Sequence, residues 1–430
     1  MMKLINVDFI HDVTIILLME AVNRKVTYRL YPDKSQEDAL LDLLGLHQRV
    51  YNTALEARIK CYKESAKSIS FVDQCRDLTQ WRKKSDALND VNAQSLQVTL
   101  KRLDLAYQAF FRRVKLGEAP GFPRFKPIER FSGWGYKTHG DGWRLHACEQ
   151  MKHGHIRLSG VGMVKLRGKA RTPGLTKTCE ILHKAGKWYA SVTVACHPSR
   201  PCGSAGMGLD WGLETFATVC DAEHTTHSVE NPRLLKKQLK KLKLLQQDVS
   251  RKSNKRSHNR FKAVRKVADL HRKIGYQRKD FNHQTAASLV ANYGLIATEA
   301  LSVKNMTANG GQYKKGLNRE ILSAAPTQFL SLLKSKAEEA GAIWVEIPTR
   351  QVKPSQTCHR CGIQRKKLLS ERQHICYCGA SCSRDENAAR VMLNWALHGN
   401  ATGQESGRGG ESLMLGMLNH ETTSIAAIAV

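Results

Sequence analysis

The 430 residues carry 68 Lys+Arg against 38 Asp+Glu, a formal charge of +30, with 41% hydrophobic and 25% charged residues. Such a length allows two or three domains with cores of their own, and the apolar and charged content excludes a disordered chain and a membrane protein. A positive excess this large repels most proteins and attracts polyanions, of which nucleic acid is the commonest in a cell.

The first apolar run, at residues 13–19, is broken by Thr14 and flanked by Asp8, His11 and Asp12. It falls far short of the ~20 residues of a membrane span, and it lacks the basic leader and small-residue cleavage site of a secretory signal. The expected compartment is the cytoplasm. Residues 1–22 match no pattern, and Met19 is an alternative start. A strand is expected within 23–32, and Ser35 and Asp38 are spaced as a capping box for the helix that follows Pro32. Leu40, Leu44, His47, Tyr51 and Leu55 fall on one helical face, and Leu96, Leu100, Leu103, Tyr107 and Phe110 repeat the spacing. Residues 33–115 therefore predict a helical lobe. Over 116–200 the text changes: Pro and Gly punctuate Gly121-Phe122-Pro123-Arg124-Phe125-Lys126, and short alternating segments at 155–158 and 188–194 predict a β-rich module. Residues 197–206, mixing Pro, Ser and Gly, read as a linker.

In the remaining stretch, 201–397, residues 207–213 and 216–220 predict two strands joined by a tight turn. Between Arg233 and Lys279 stand eighteen Lys/Arg and only two acids, Asp248 and Asp269, while Leu235, Leu239, Leu242, Val249, Val264, Val267 and Leu270 keep a helical spacing. That predicts a basic helical hairpin over 233–283, turning near Ser253. Its Lys236, Lys240, Arg251, Lys252, Arg256, Arg260, Arg265 and Lys266, with Arg124 and Lys126 upstream, are the expected nucleic-acid contacts. A strand at 295–301, an amphipathic helix at 326–340, a buried strand at 342–347 and a last helix at 385–397 follow. The Gly- and Ser-rich tail, 398–430, is expected to be disordered.

Of twelve cysteines, five crowd between Cys358 and Cys382. Cys358-x-x-Cys361-Gly and Cys376-x-Cys378-Gly predict a zinc-ribbon insert over 354–382, because thiolates paired at short loop spacing close a tetrahedron around one Zn²⁺. The second pair is one residue tighter than the usual knuckle, so the fourth ligand is either Cys376 or Cys382, with His374 an outsider. A closed set of four ligands is structural.

Three acids are best read together: Asp210 in the first strand after the linker, Glu299 at the end of a later strand and Asp385 at the start of the last helix. Singly, each is the kind of acid that caps a helix or forms a turn. In this order they match the way a ribonuclease-H-like sheet gathers carboxylates at one edge. Such a cluster is unfavourable without counter-ions, and two Mg²⁺ ions suit it and phosphodiester hydrolysis.

Four segments, in order, then resemble the TnpB (OrfB) family of RNA-guided nucleases from insertion-sequence transposons, relatives of the type V CRISPR effectors. They are Gly208-Leu209-Asp210-Trp211-Gly212-Leu213, Thr298-Glu299-Ala300-Leu301-Ser302-Val303-Lys304-Asn305-Met306, Ser355-Gln356-Thr357-Cys358-His359-Arg360-Cys361-Gly362 and Arg384-Asp385-Glu386-Asn387-Ala388-Ala389. The segment from Gly121 to Lys126 matches a further family signature. The resemblance implies an α/β RuvC-like nuclease domain with Asp210, Glu299 and Asp385 as its catalytic acids, interrupted by the zinc ribbon. It also implies a β-barrel-like wedge and a helical recognition lobe that grip a guide RNA and read a short motif beside the double-stranded DNA target. Where the family often has Asp before its Arg-Asp pair, this chain has Ser383. Two other classes share parts of the pattern: a non-cleaving RNA-guided DNA-binding regulator, which loss of one acid would mark, and an unguided RNase-H-fold nuclease or transposase accessory protein.

Overall fold

The computed structural model describes residues 21–402, apart from 224, 309 and 369. Most of the expected N-terminal extension and most of the tail lie outside the described residues. The chain divides into two units, after Pro198. No described helix is long and apolar enough to cross a membrane.

The first unit begins with β1 (Val22–Tyr31), where Tyr28 and Leu30 turn fully inward while Tyr31 stays exposed. Helices α1 (Lys34–Ser65), α2 (Phe71–Lys83), α3 (Asp86–Asn89) and α4 (Ala93–Lys115) follow. The cap of α1 differs from the expected one. Asp33 accepts from the Gln36 amide at 2.8 Å, and Gln36 Oε1 accepts from the Asp33 amide at 3.2 Å. Asp38 is taken up instead by Lys34, 2.5 Å away and one helical turn before it. Strands β2 (Gly133–Tyr136), β3 (Trp143–Ala147), β4 (Lys152–Leu158), β5 (Gly162–Lys169), β6 (Leu175–His183) and β7 (Trp188–Cys196) join β1 in one antiparallel sheet of order β2-β6-β7-β1-β5-β4-β3.

Helices and sheet share one core. The helical stripe of Leu40, Leu44, Leu96, Leu100 and Leu103 packs in the same cluster as Tyr28, Trp134, Ile156 and Val192. His47 belongs to it as well: fully buried, stacked on Trp134 and 2.8 Å from Thr99 Oγ1, it is kept neutral by burial, which pushes its pKa down to about 3. Edge strands β2 and β3 are consecutive in the chain. A flat seven-stranded sheet would hold its edges about 29 Å apart, whereas the seven steps from Tyr136 to Trp143 reach at most about 25 Å. The sheet therefore curls. At the join, Gly142 (φ +74°) passes so near Tyr136 that a Cβ on it would stand 2.9 Å from the ring.

The second unit is built on a five-stranded sheet of order β10-β9-β8-β11-β12. Its strands are β8 (Ala205–Trp211), β9 (Thr215–Asp221), β10 (Thr226–Glu230), β11 (Tyr293–Glu299) and β12 (Ile343–Ile347). β8 runs antiparallel to β9 and parallel to β11, which is parallel to β12. Between β10 and β11 stand α5 (Leu234–Ser250) and α6 (His258–Asn292), then between β11 and β12 come α7 (Val303–Ala308), α8 (Lys315–Ala324) and α9 (Pro326–Ala340). The basic stretch folds as the two helices α5 and α6, and α6 runs on past residue 283 to Asn292, because Ala286, Leu289 and Val290 bury against the sheet. After β12 come the short α10 (Thr349–Val352), the ribbon strands β13 (Gln373–Ile375) and β14 (Ser381–Ser383), and α11 (Arg384–His398).

Alternation along the strands sends Met207, Leu209 and Ile296 toward α6 and α9, and Leu295 and Ala297 toward α11. Strand β12, expected to be buried, is only half-buried along most of its length with Glu346 exposed, because it forms the sheet edge.

Candidate active site

Asp210 lies on β8 and Glu299 at the end of β11. In the parallel register Leu209 pairs with Thr298, so one step further Asp210 lies beside Glu299. Gly208, Asp210, Ala297 and Glu299 thus share the sheet face that α11 covers. Asp385 enters in the first turn of α11, which Ser383 caps by accepting from the Glu386 amide at 3.1 Å. The helix can come this near because Gly208 has no side chain: a Cβ there would meet the Ala389 carbonyl oxygen at 1.9 Å. Two residues past Asp210, a Cβ on Gly212 would stand 3.8 Å from Asp385 Oδ2.

The electrostatics follow from this gathering. Burial, then the charges of Glu299 and Asp385, hold the Asp210 carboxyl well above the usual carboxylate range, with Arg384 pulling the other way. Burial also raises Glu299. Among the described residues, the sets of three or more ligand atoms that all lie within 4.8 Å of one another contain cysteine, so the three carboxylates stand wider apart than that. All-oxygen donors, anionic and mutually repelling, fit hard divalent cations.

The cysteine cluster is tighter. Sγ of Cys358, Cys361, Cys376 and Cys378 all lie within 4.8 Å of one another, with Cys358 to Cys378 at 3.7 Å and Cys361 to Cys376 at 3.4 Å. The tight Cys-x-Cys pair therefore brings both its sulfurs in. Cys382 is outside the set, on β14 opposite His374, and burial pushes its thiol up to about 11. The backbone N–H of Cys378 draws the Cys376 thiol down to about 7. His374 is buried, touches the Lys367 amine through Nδ1, and leaves Nε2 buried without a hydrogen-bond partner among the described residues.

Two residues not singled out in the sequence, Asn387 inside the segment 384–389 and Asn394 beyond it, tie the cluster to the acids. Asn387 is fully buried and Asn394 nearly so, and both hold His359, the residue after Cys358. In the sequence each is an amide set beside apolar residues of α11, Ala388 and Ala389 for the one, Leu393 and Trp395 for the other.

The expected nucleic-acid contacts divide. Lys236, Lys240, Arg251, Arg256, Arg265 and Lys266 are exposed along α5, its turn and α6. Arg260 is half-buried and engaged, its NH1 donating at 2.7 Å to the carbonyls of both Val249 and Lys252, and Lys252 pairs with Asp248. Upstream, Arg124 is exposed, whereas Lys126 is half-buried with its ammonium 4.4 Å from the Tyr51 ring centroid, and burial lowers its pKa.

Three family models match the chain: "Probable transposase" (OrfB_IS605) over residues 190–310, "Cas12f1-like, TNB domain" over residues 327–392 and "Helix-turn-helix domain" (HTH_OrfB_IS605) over residues 19–67. The first spans Asp210 and Glu299, the second the cysteine cluster and Asp385, and the third covers a strand and one long helix, β1 and α1. A Streptomyces pristinaespiralis protein named "Putative RNA-guided DNA endonuclease" is 32% identical over 92% of this chain and 96% of its own length. An Escherichia coli K12 protein named "Putative RNA-guided DNA endonuclease InsQ" is 30% identical over 85% of this chain and 90% of its own. The solved structure "Cryo-EM structure of the Cas12f1-sgRNA-target DNA complex" matches with a TM-score of 0.56 at 11% identity, covering 86% of this chain and 98% of that one. That likeness is one of fold, a Cas12-like RuvC nuclease fold. With such relatives matched over most of both chains, and the family's motifs carried on β8, the end of β11, the ribbon and α11, the chain belongs to the TnpB (OrfB) family.

Proposed function

We infer that this protein is an RNA-guided DNA endonuclease of an insertion-sequence transposon, which cuts target DNA beside a short flanking motif by metal-dependent phosphodiester hydrolysis. The observation that carries the chemistry is the gathering of Asp210, Glu299 and Asp385 at the ends of the adjacent strands β8 and β11 and the start of α11, with the Asp210 anion disfavoured by burial and then by the other two acids. Family membership supports the guide RNA and the double-stranded DNA as partners.

Asp210, Glu299 and Asp385 would hold the Mg²⁺ ions. Bound there, the ions would polarise the scissile phosphate and lower the pKa of the attacking water. The protein's own part is positional: β8 and β11 fix two carboxylates in register, α11 delivers the third, and Arg384 offsets part of their mutual repulsion.

Cys358, Cys361, Cys376 and Cys378 would hold one structural Zn²⁺, a set that fits four-thiolate coordination. All twelve cysteines are free, as suits a reducing cytoplasm. The curled sheet of the first unit would serve as the barrel-like wedge, and α1 to α4 as the recognition lobe. The exposed bases of α5 and α6 would follow nucleic-acid backbone.

The test is to load the protein with a guide RNA and change only the guide's targeting segment. Double-stranded cleavage should move to the newly matched sequence beside a flanking motif, and should require Mg²⁺ or Mn²⁺. Cutting that ignores the guide would mark an unguided RNase-H-fold nuclease, and guided binding without cutting would mark a regulator.

A further inference from the structure

The face of α11 turned to the ribbon is as organised as its acidic one. Asn387, Arg390 and Asn394 follow at helical i, i+3 and i+7 spacing and so line one face. All three reach the same residue. Asn387 Oδ1 accepts from the His359 amide at 3.1 Å and lies 3.0 Å from His359 Nδ1. Arg390 NH1 lies 3.4 Å from His359 Nε2, and Asn394 Nδ2 donates to the His359 carbonyl at 3.2 Å. One helix thus holds the N–H, the C=O and both ring nitrogens of His359.

Asn387 does more. Its Nδ2 donates to the Thr357 carbonyl at 2.7 Å and to the Pro354 carbonyl at 3.2 Å, so a fully buried amide meets both its donor and its acceptor needs on the first turn of the ribbon. That turn carries Cys358, whose sulfur belongs to the four-thiol cluster. Two residues before Asn387, and about 200° around the helix, Asp385 faces the opposite way, toward β8. The start of α11 is therefore held between the sheet, through Gly208 and Ala389, and the ribbon, through Asn387 and His359.

We propose that the ribbon sets the position of Asp385 through this clamp on His359, with Asn387 as the positioning residue. The proposal rests on the nuclease reading, in which Asp385 is a metal ligand. It makes the ribbon part of the cutting machinery although its own four-thiol site has no open position. Groups that orient a metal ligand commonly change metal affinity or activity 10- to 100-fold when removed, and a catalytic group displaced by about 1 Å can lose a factor of ~100.

The experiment uses full-length protein loaded with guide RNA. Mn²⁺ binding is followed by electron paramagnetic resonance, alongside zinc content, target binding and cleavage over a Mg²⁺ series. Asn387→Ala should keep about one zinc per chain and wild-type target binding, weaken Mn²⁺ binding about 10-fold, and slow cleavage with partial recovery at high Mg²⁺. If Asn387→Ala fails to fold, Asn394→Ala, which removes a more distant contact to the same residue, should show the same shift in smaller degree. A folded, zinc-loaded Asn387→Ala, or failing that Asn394→Ala, with the wild-type Mn²⁺ affinity and Mg²⁺ dependence overturns the clamp. Because Mn²⁺ binding needs no cleavage, a wild type that binds Mn²⁺ normally but does not cut matched DNA would count against the nuclease reading alone. A wild type that binds no Mn²⁺ would overturn both.

Discussion

Gly208 and Ala389 are in backbone contact, the glycine so near the helix that a single added carbon would sit 1.9 Å from the Ala389 oxygen. Since Asp210 lies two residues beyond the glycine and Asp385 one turn before the alanine, this contact sets how near the two carboxylates come. Gly208→Ala must push α11 away from β8. Cleavage should fall about 100-fold, on the scale expected for an ångström of misplacement, while the four-thiol cluster keeps its zinc. A Gly208→Ala protein that cuts at the wild-type rate would show that the helix position is unimportant.

Asp210 carries a stability cost as well as a role. Its folded pKa is raised above the unfolded value of about 3.9. Above that value the folded state therefore binds more protons than the unfolded state, and stability falls as pH rises through the window up to the raised folded pKa. In EDTA, Asp210→Asn should flatten that slope and raise the melting temperature at pH 7 by ~2–4 °C, the shift of about 1 kcal/mol in a unit of this size. The same variant should not cut DNA. Melts at pH 5 and pH 8, with and without Mg²⁺, decide the matter, since Mg²⁺ should stabilise wild type and leave Asp210→Asn unmoved.

The sulfur positions separate the two candidates for the fourth zinc ligand. Cys376→Ser and Cys378→Ser should each lower the zinc recovered per chain, whereas Cys382→Ser should keep about one ion. Metal analysis of the three purified variants gives the answer, and full zinc in Cys376→Ser with loss in Cys382→Ser would reverse the assignment.

Arg260 and its neighbours on the hairpin should part company in salt titrations. Lys236→Ala and Lys240→Ala remove exposed charges and should each reduce the slope of log affinity against log salt by about 1 per lost phosphate contact. Arg260→Ala should leave that slope nearly unchanged and lower thermal stability instead, because the carbonyls of Val249 and Lys252 lose their donor.

How much of this was legible in the sequence depended on the range of the interaction. Helices such as Pro326–Ala340, where proline opens and glycine closes a periodic apolar stripe, are encoded locally and were predicted to the residue. The cap of α1 was misplaced because Ser35 and Asp38 have the right spacing, while Asp33 has the right backbone, extended straight out of β1. Several sheet strands escaped notice: β5 and β6 carry Gly168, Lys165, Lys177 and Glu180, and their pattern becomes clear only once a curled sheet supplies one wet face. In the site, the acids were legible because few other residue types could serve there. Asn387 and Gly208 were not read as part of it, since a buried amide and a missing Cβ take their meaning from a partner far along the chain.

The placement of α11 after the ribbon also orders events in time. A chain still leaving the ribosome holds Asp210 and Glu299 on their strands before Asp385 has been made, and the helix that brings the third acid must find its seat against Gly208 and against the ribbon together. A nascent or prematurely ended product can thus hold the residues of its sheet and still lack the third carboxylate.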